Sequence, residues 1–403
     1  MVRRSEGGQT QPADGSPEQK PRLLSLDAFR GLDIALMVFV NMTWDRDVFH
    51  RQFFHVGWNE GRMGVTVTDL VFPWFLFIAG AAIPWSMASG RGAGHSNLYR
   101  VFTAFRRGLV IYTLGTLLSA ARSEQFQFLT LDILQFIGIA YFIGVCVSLL
   151  PRWVQIAFVV VVLAGKYIVM HHIPHPDHGR VFLEQRDNLR EWITAYDFGL
   201  GDVNRVPQWL ANGLFNILPG STVVVMGAFA GGRLLRAWKA ERDPSVTRTL
   251  LLWGLGVWAA SFALRFVDPS SKDFFTASYA LLAAGTGTAL LAAFYWVIDV
   301  RRWTTLFWAR VFGLNALAFY VANEALFRVV LTRWTQPWVT NDAGAPMTLI
   351  ELMRWAPVAA AQSVLGDTHA ALVTGRWVFV LAYMLAWWVV FWWLYRKRWF
   401  WKV

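Results

Sequence analysis

The sequence has little charge and almost no cysteine. Only 16% of its 403 residues are charged and 56% are hydrophobic, whereas soluble domains carry about 25% charged residues. Because Cys146 is its one cysteine, the chain has no internal disulfide framework, and cysteine content does not indicate whether the protein works in an oxidising or a reducing compartment. No Walker loop, Rossmann glycine fingerprint or GxSxG elbow occurs in a supporting context. These absences argue against a soluble nucleotide-binding enzyme or a serine hydrolase.

Long apolar runs recur along the chain and predict an all-α polytopic membrane protein. About ten transmembrane helices are expected, at 24–43, 66–88, 101–120, 131–150, 152–170, 214–236, 248–266, 274–298, 306–330 and 376–396. Because no linker divides these spans, residues 23–403 are predicted to form one transmembrane domain. Residues 1–22 are polar and rich in Gly, Pro and Gln, so we expect a disordered cytoplasmic tail rather than a signal peptide.

The net charge of +11 is distributed unevenly between the predicted loops. With a cytoplasmic N-terminus, 22 basic residues lie on the inner side and six in the short outer loops. Because basic residues mark the cytoplasmic side of a membrane protein, both termini are predicted to be cytoplasmic. The excess charge therefore indicates membrane topology rather than a nucleic-acid partner, and the loop after the first span is predicted to lie outside.

The first predicted span carries three charged residues near its inner end. Asp27, Arg30 and Asp33 follow at intervals of three and are expected to form one ridge. One interpretation is an ion-pair ladder whose side chains reach the membrane interface. The other is that Arg30 binds an anionic cytoplasmic ligand.

Polar residues on either side of the first outer loop are candidates for chemistry. His55 is followed by Trp58 and Asn59, which offer a stacking surface and an amide, and the loop is short enough to fold back over Asn41. A histidine with an amide partner suits general-base catalysis. The structural alternatives are a solvated histidine, a helix C-cap at Asn41 and a helix N-cap at Asp69.

Other titratable residues lie further along the chain. Glu324 is an acid inside a predicted span and therefore a candidate functional residue, whereas Lys166 is expected to reach the interface. A histidine-rich stretch suggests a metal site, but two prolines exclude a helical ligand face, so a mobile loop and no metal are predicted. The residues concerned are His171, His172, His175, Asp177 and His178.

Two stretches, "SLDAFRGLDIALMVFVN" and "HVGWNEGRMGVTVTDLVFPWFLFIAG", resemble the heparan-α-glucosaminide N-acetyltransferase family. In that family a helix ending in VN precedes an HxxWNG loop and a DLVFP[FW]F helix. The likeness continues in "DILQFIGIAYFIGV", "LPGSTVVVMGAFAGG" and the closing "LYRKRWFWKV". It continues from about residue 22 onward, and the resemblance leads us to expect a form without the lysosomal enzyme's luminal domain and extra leading helix. The chain is therefore similar to the form expected in the bacterial inner membrane.

The resemblance implies acetyl transfer from cytosolic acetyl-CoA to an amino sugar, with His55 as the catalytic histidine and Asn41 as its partner. Trp58, Asn59 and Asp69 match the rest of the motif and, with Glu324, are expected to contact substrate. Acetyl-CoA is the expected co-substrate, glucosamine or a glucosamine-ended glycan the expected acceptor, and a homodimer the expected assembly. Basic residues at the cytoplasmic mouth are expected to hold the CoA phosphates; they are Arg30, Arg106 and Arg107.

The sequence departs from the family pattern at three places. Glu60 stands where the family has glycine, and the fourth span reads Leu134-Gln135-Phe136 instead of ending in arginine. Before the sixth span, "LANG" replaces an acidic loop. These changes concern the specificity for the sugar rather than acyl transfer.

Two other functions fit the same features. A permease for N-acetylglucosamine or its oligomers also needs many spans and buried polar residues, although no repeated halves or paired broken helices are visible. An O-acyltransferase acting on envelope polysaccharide is the third interpretation.

Overall fold

The computed structural model describes residues 23–56, 64–91, 94–123, 131–174, 176, 179, 213–240, 243–340 and 344–401. The first six helices are α1 (Leu24–Met42), α2 (Val67–Arg91), α3 (Asn97–Ser123), α4 (Ile133–Ser148), α5 (Arg152–His172) and α6 (Leu218–Lys239). The next six are α7 (Ser245–Leu264), α8 (Ala277–Phe294), α9 (Phe307–Gly313), α10 (Ala316–Ala325), α11 (Leu349–Leu365) and α12 (His369–Arg396).

Shorter elements join these helices. A 3₁₀ turn (Arg51–Phe53) lies between α1 and α2, and π-helical turns at Gly213–Ile217, Tyr295–Val300 and Leu326–Leu331 adjoin α6, α8 and α10. Strands β1 (Thr335–Thr340) and β2 (Pro346–Thr348) pair antiparallel and lead into α11.

The described helices have the length and composition of membrane spans. Seven are long and apolar enough to cross a bilayer, or eight if α9 and α10, which are bent by 72° at their junction, are counted as one span. The prediction of an all-α polytopic membrane protein is therefore confirmed. The remaining two predicted spans are also helices, but α1 carries three charged residues and α4 has only 16 residues. The count of about ten spans stays a prediction.

Small residues let two pairs of helices touch through their backbones. A Cβ added to Gly227 of α6 would overlap the carbonyl of Phe77, and one on Gly80 of α2 would overlap that of Val224. Gly31 of α1 and Gly313 of α9 meet in the same way. Lipid supplies no hydrophobic drive for helix pairing, so close packing at small residues holds such pairs together. The charged end of α1 is thereby fixed against the bent span.

The bend between α9 and α10 is stabilised by the C-terminal tail. Asn315 donates from its side-chain amide to the carbonyl of Trp399 at 2.9 Å and accepts from the backbone N–H of Trp401 at 2.8 Å. A break in a membrane helix frees backbone groups that need new partners. Asn315 therefore anchors the tail at the bend.

Two expectations about charged side chains are wrong. Arg30 pairs with Asp27 at 3.6 Å, but Asp33 is fully buried and, among the described residues, neither carboxylate oxygen has a hydrogen-bond partner. Six residues rotate a helix by about 600°, so Asp33 points about 120° away from Asp27. Lys166 is buried rather than at the interface, because its ammonium donates to the carbonyl of Phe215 at 2.6 Å.

Replacing Gly227 with valine is expected to destabilise the protein by at least about 1–3 kcal/mol, because the added carbons overlap the α2 backbone. Heating detergent-solubilised protein and measuring the monodisperse fraction gives the apparent Tm. Gly165→Val is the matched control, since a Cβ there has nothing within 4 Å. Equal loss in both variants would show that helix propensity, not the α2–α6 contact, is responsible.

Candidate functional site

The loop between α1 and α2 brings His55 onto the first turn of α2. His55 Nδ1 lies 2.7 Å from Asp69 Oδ1, and the histidine side chain is 52% exposed while the aspartate is 1% exposed. A carboxylate on one ring nitrogen fixes the tautomer and orientation of an imidazole, leaving the other nitrogen as the base. The geometry suits an accessible general base held by a buried carboxylate.

The Asp69 carboxylate also organises the loop itself. Its second oxygen accepts from the backbone N–H of Val56 at 3.3 Å and from the N–H and hydroxyl of Thr66 at 3.1 and 2.9 Å. The Asp69 carbonyl accepts from the hydroxyl of Tyr279 on α8. Asp69 is the third residue of α2, so it is not the helix N-cap that the sequence suggested. Thr66 precedes the helix instead, and the Asp69 side chain accepts a hydrogen bond from the backbone N–H of Thr66.

Lys272, in the loop between α7 and α8, completes this cluster. Its ammonium lies 3.0 Å from Nδ1 and 3.3 Å from Nε2 of His55. Burial lowers the pKa of Lys272, and the charges of Asp69 and Asp273 offset only part of that effect. The sequence singled out His55 and Asp69 but gave Lys272 no role.

A second polar cluster surrounds Asn41 in the last turn of α1. Asn41 donates to Glu324 at 3.5 Å, and Glu324 pairs with Arg328 at 2.9 Å. Arg328 also lies 3.7 Å from Asp132. A cavity of about 450 Å³ is lined by Asn41, Glu324 and Arg328, and also by Arg333. The structure thus gives Asn41 and His55 different partners. Asn41 is not the helix cap, since Thr43 occupies that position.

A cavity near the start of α1 contains two of the predicted cofactor residues. Arg30 and Arg107 both line this space of about 420 Å³, together with Tyr141 and the tail residues Phe400 and Trp401. The start of α1 and the end of the chain therefore lie at the same end of the bundle. The Nε atom of Arg107 is buried and, within the described residues, has no hydrogen-bond partner.

Arg107 also lines an adjoining cavity of about 350 Å³, where Arg100 and His95 contribute further polar groups. Arg106, the next residue in α3, is exposed and belongs to neither cavity. Successive helical residues point about 100° apart, so only one of the two arginines faces inward. The inward arginine is Arg107.

The remaining predicted residues are placed differently or lie outside the description. Trp58 and Asn59 are outside the described residues, as are His175, Asp177 and His178. His171 belongs to the last turn of α5 rather than to a loop, and its Nε2 lies 2.8 Å from the buried carboxylate of Asp268. No group of three potential metal ligands occurs within the described ranges.

The fold is that of a polytopic membrane protein, with two polar clusters at one end of the bundle and an arginine-lined cavity at the other. The sequence profile described as heparan-alpha-glucosaminide N-acetyltransferase, catalytic, matches residues 22–265. The chain therefore belongs to the heparan-α-glucosaminide N-acetyltransferase family. Asn41, His55, Asp69 and Arg107 fall within the match, while Lys272, Glu324 and Arg328 lie beyond it.

Two named relatives extend the likeness over the rest of the chain. Heparan-alpha-glucosaminide N-acetyltransferase of Homo sapiens is 25% identical over an alignment that covers 98% of this chain and 63% of the human protein. The Mus musculus enzyme is also 25% identical, with 97% and 62% covered. The chain thus spans about three-fifths of the length of these curated relatives.

Arg328→Met is expected to destabilise the protein by about 3–5 kcal/mol, because it leaves the buried Glu324 carboxylate without its cation. The Glu324→Gln, Arg328→Met double variant removes both charges and should recover most of the loss in apparent Tm. A double variant no more stable than the single one would mean that packing of the arginine stem, not ion pairing, stabilises this region.

Proposed function

We propose that the protein is a transmembrane acetyltransferase that moves acetyl from cytosolic acetyl-CoA to the amine of glucosamine or a glucosamine-ended glycan. The observation that carries this proposal is the imidazole of His55 bonded to the buried carboxylate of Asp69, within the stretch that matches the family. The names of the relatives support N-acetyl transfer.

His55 acts as the general base of this reaction. With Nδ1–H donated to Asp69, the Nε2 lone pair takes the proton from the acceptor amine as nitrogen attacks the thioester carbonyl. The carbon–sulfur bond then breaks, and the departing CoA thiolate takes the proton from the His55 imidazolium. Asp69 orients the ring and stabilises the imidazolium that forms. Asp69 therefore affects the substrate through His55 and not by direct contact.

Asn41 and Glu324 serve the acceptor on the same side of the bundle. An amide N–H such as that of Asn41 stabilises a developing oxyanion, and Glu324 attracts an amino sugar before its amine loses a proton. Because Arg328 already pairs with Glu324, the Glu324 carboxylate contacts the ammonium of the sugar weakly rather than binding it tightly. Trp58 and Asn59 remain proposed sugar contacts from the sequence motif.

Arg30 and Arg107 hold the phosphates of CoA at the other end. Guanidinium groups bind phosphate through paired hydrogen bonds, and the two arginines line one cavity. Arg30 and Asn41 stand eleven residues apart on α1, which is about 16 Å along a helix. The pantetheine arm of CoA must cross that gap to bring the thioester to His55.

The same proposal fixes the orientation of the chain. The cavity lined by Arg30 and Trp401 faces the cytoplasm, so that both termini are cytoplasmic and the loop with His55 is outside. The membrane is the bacterial inner membrane, and the assembly is a homodimer, as the family resemblance implies.

Transport is the second candidate function, because one observation favours it. The span formed by α9 and α10 is bent by 72°, and broken helices form substrate sites in transporters. Only one such span occurs among the described residues, whereas repeat-built transporters carry them in pairs. Release of N-acetyl product by protein in detergent, without any membrane gradient, excludes pure transport.

His55→Ala is expected to lower acetyl transfer by about 10² to 10⁴, the usual contribution of a general base. Purified protein is assayed for free thiol and for N-acetylglucosamine, with acetyl-CoA and glucosamine as substrates. His50→Ala is the matched control, since His50 lies in the same loop and caps only the 3₁₀ turn. Near-normal turnover of the His55 variant contradicts its proposed role.

Arg107→Ala is expected to raise the KM for acetyl-CoA by about tenfold or more, because charge-assisted hydrogen bonds to ionised groups are worth about 1.5–3 kcal/mol. Arg106→Ala removes the same charge from the exposed side of α3 and should leave KM nearly unchanged. Steady-state kinetics with varied acetyl-CoA provide the measurement. An equal rise in both variants would indicate general electrostatic attraction instead of a phosphate site in the cavity.

A further inference from the structure

Lys272 presents a primary amine to the imidazole of His55. The amine nitrogen lies 3.0 Å from Nδ1 and 3.3 Å from Nε2. Because the amine is almost equally far from the two ring nitrogens, Lys272 lies over the face of the imidazole rather than on the in-plane lone pair of Nε2. Nε2 is the nitrogen that serves as base in the proposed reaction. Lys272 therefore places an amine next to the base that an acceptor amine must approach.

The surroundings of Lys272 favour its nucleophilic form. The groups that face it are His55 from the first outer loop, Asp69 from α2, its neighbour Asp273 and, beside Asp69, the hydroxyl of Tyr279 on α8. The two carboxylates favour the ammonium, but burial outweighs them and lowers the pKa of Lys272. Desolvation of this kind is how proteins activate lysine as a nucleophile.

We infer that Lys272 is a self-acetylation site, at which the protein acetylates its own amine when no acceptor is bound. This inference rests on the proposed function, since acetyl-CoA supplies the acetyl group. The neutral Lys272 nitrogen attacks the thioester carbonyl, the carbon–sulfur bond breaks, and His55 passes the amine proton to the departing thiolate. The products are Nε-acetyl-Lys272 and free CoA, so no further reactant is needed.

The test is to incubate purified wild-type protein with acetyl-CoA alone and to follow each lysine-containing peptide by mass spectrometry. Lys272 is expected to gain one acetyl group at a rate at least about tenfold above that in His55→Ala, while His50→Ala behaves as wild type. Adding glucosamine should slow the modification, because the acceptor amine competes with Lys272 for the same base and the same acetyl group. Lys239, which lies at the far end of α6, reports non-enzymatic acetylation in the same sample.

The rate of self-acetylation should increase with pH between about pH 6 and pH 9, because only the neutral amine attacks and burial shifts its deprotonation to lower pH. Equal modification of Lys272 in wild type and His55→Ala would overturn the inference, since it would show simple chemical acetylation. Turnover of glucosamine with an unmodified Lys272 would overturn it and leave the proposed function standing. Absence of both reactions would overturn the two together.

Discussion

The buried carboxylate of Asp69 is the interaction on which one end of the helix bundle depends. It accepts hydrogen bonds from His55, from the backbone N–H of Val56, and from both the N–H and the hydroxyl of Thr66, so one side chain at the start of α2 holds both arms of the loop between α1 and α2. A buried carboxylate is costly unless its oxygens are satisfied, and four such donors meet that requirement. Because the Asp69 carbonyl also receives Tyr279, the loop, α2 and α8 are tied at a single residue.

The opposite end of the bundle is organised by backbone contact between helices rather than by hydrogen bonds to one carboxylate. Gly31 and Gly313 bring α1 against α9, and Asn315 then holds the tail across the bend that follows. These contacts place Arg30, Trp401 and Arg107 around one space, although the three residues belong to distant parts of the chain.

Sequence reasoning predicted the parts of the molecule that depend on local pattern. Every predicted span overlaps helical structure because hydrophobic length is a local property, but the break within the span at 306–330 was not predicted. His55 and Asp69 were found because they stand in one short motif. Lys272 contacts His55 across 217 positions of sequence, a relation that no local pattern contains. The expected ladder from Asp27 to Asp33 failed because three-residue spacing drifts around a helix, and Lys166 turned inward because a π-helical turn offered a carbonyl.

The division of this end of the bundle into two clusters bears on how the proposed acceptor would be selected. Asn41 and Glu324 line a cavity, whereas His55 and Lys272 lie on the loop beside α2; Thr43 joins the two regions by donating to the carbonyls of Val40 and Phe53. A sugar that bridges them meets an amide, a carboxylate paired with arginine, and an imidazole already in contact with an amine. In the proposed reaction, binding of the sugar ring in the cavity and proton removal from its amine are separate requirements, and a ligand that satisfies only the first would bind without reacting.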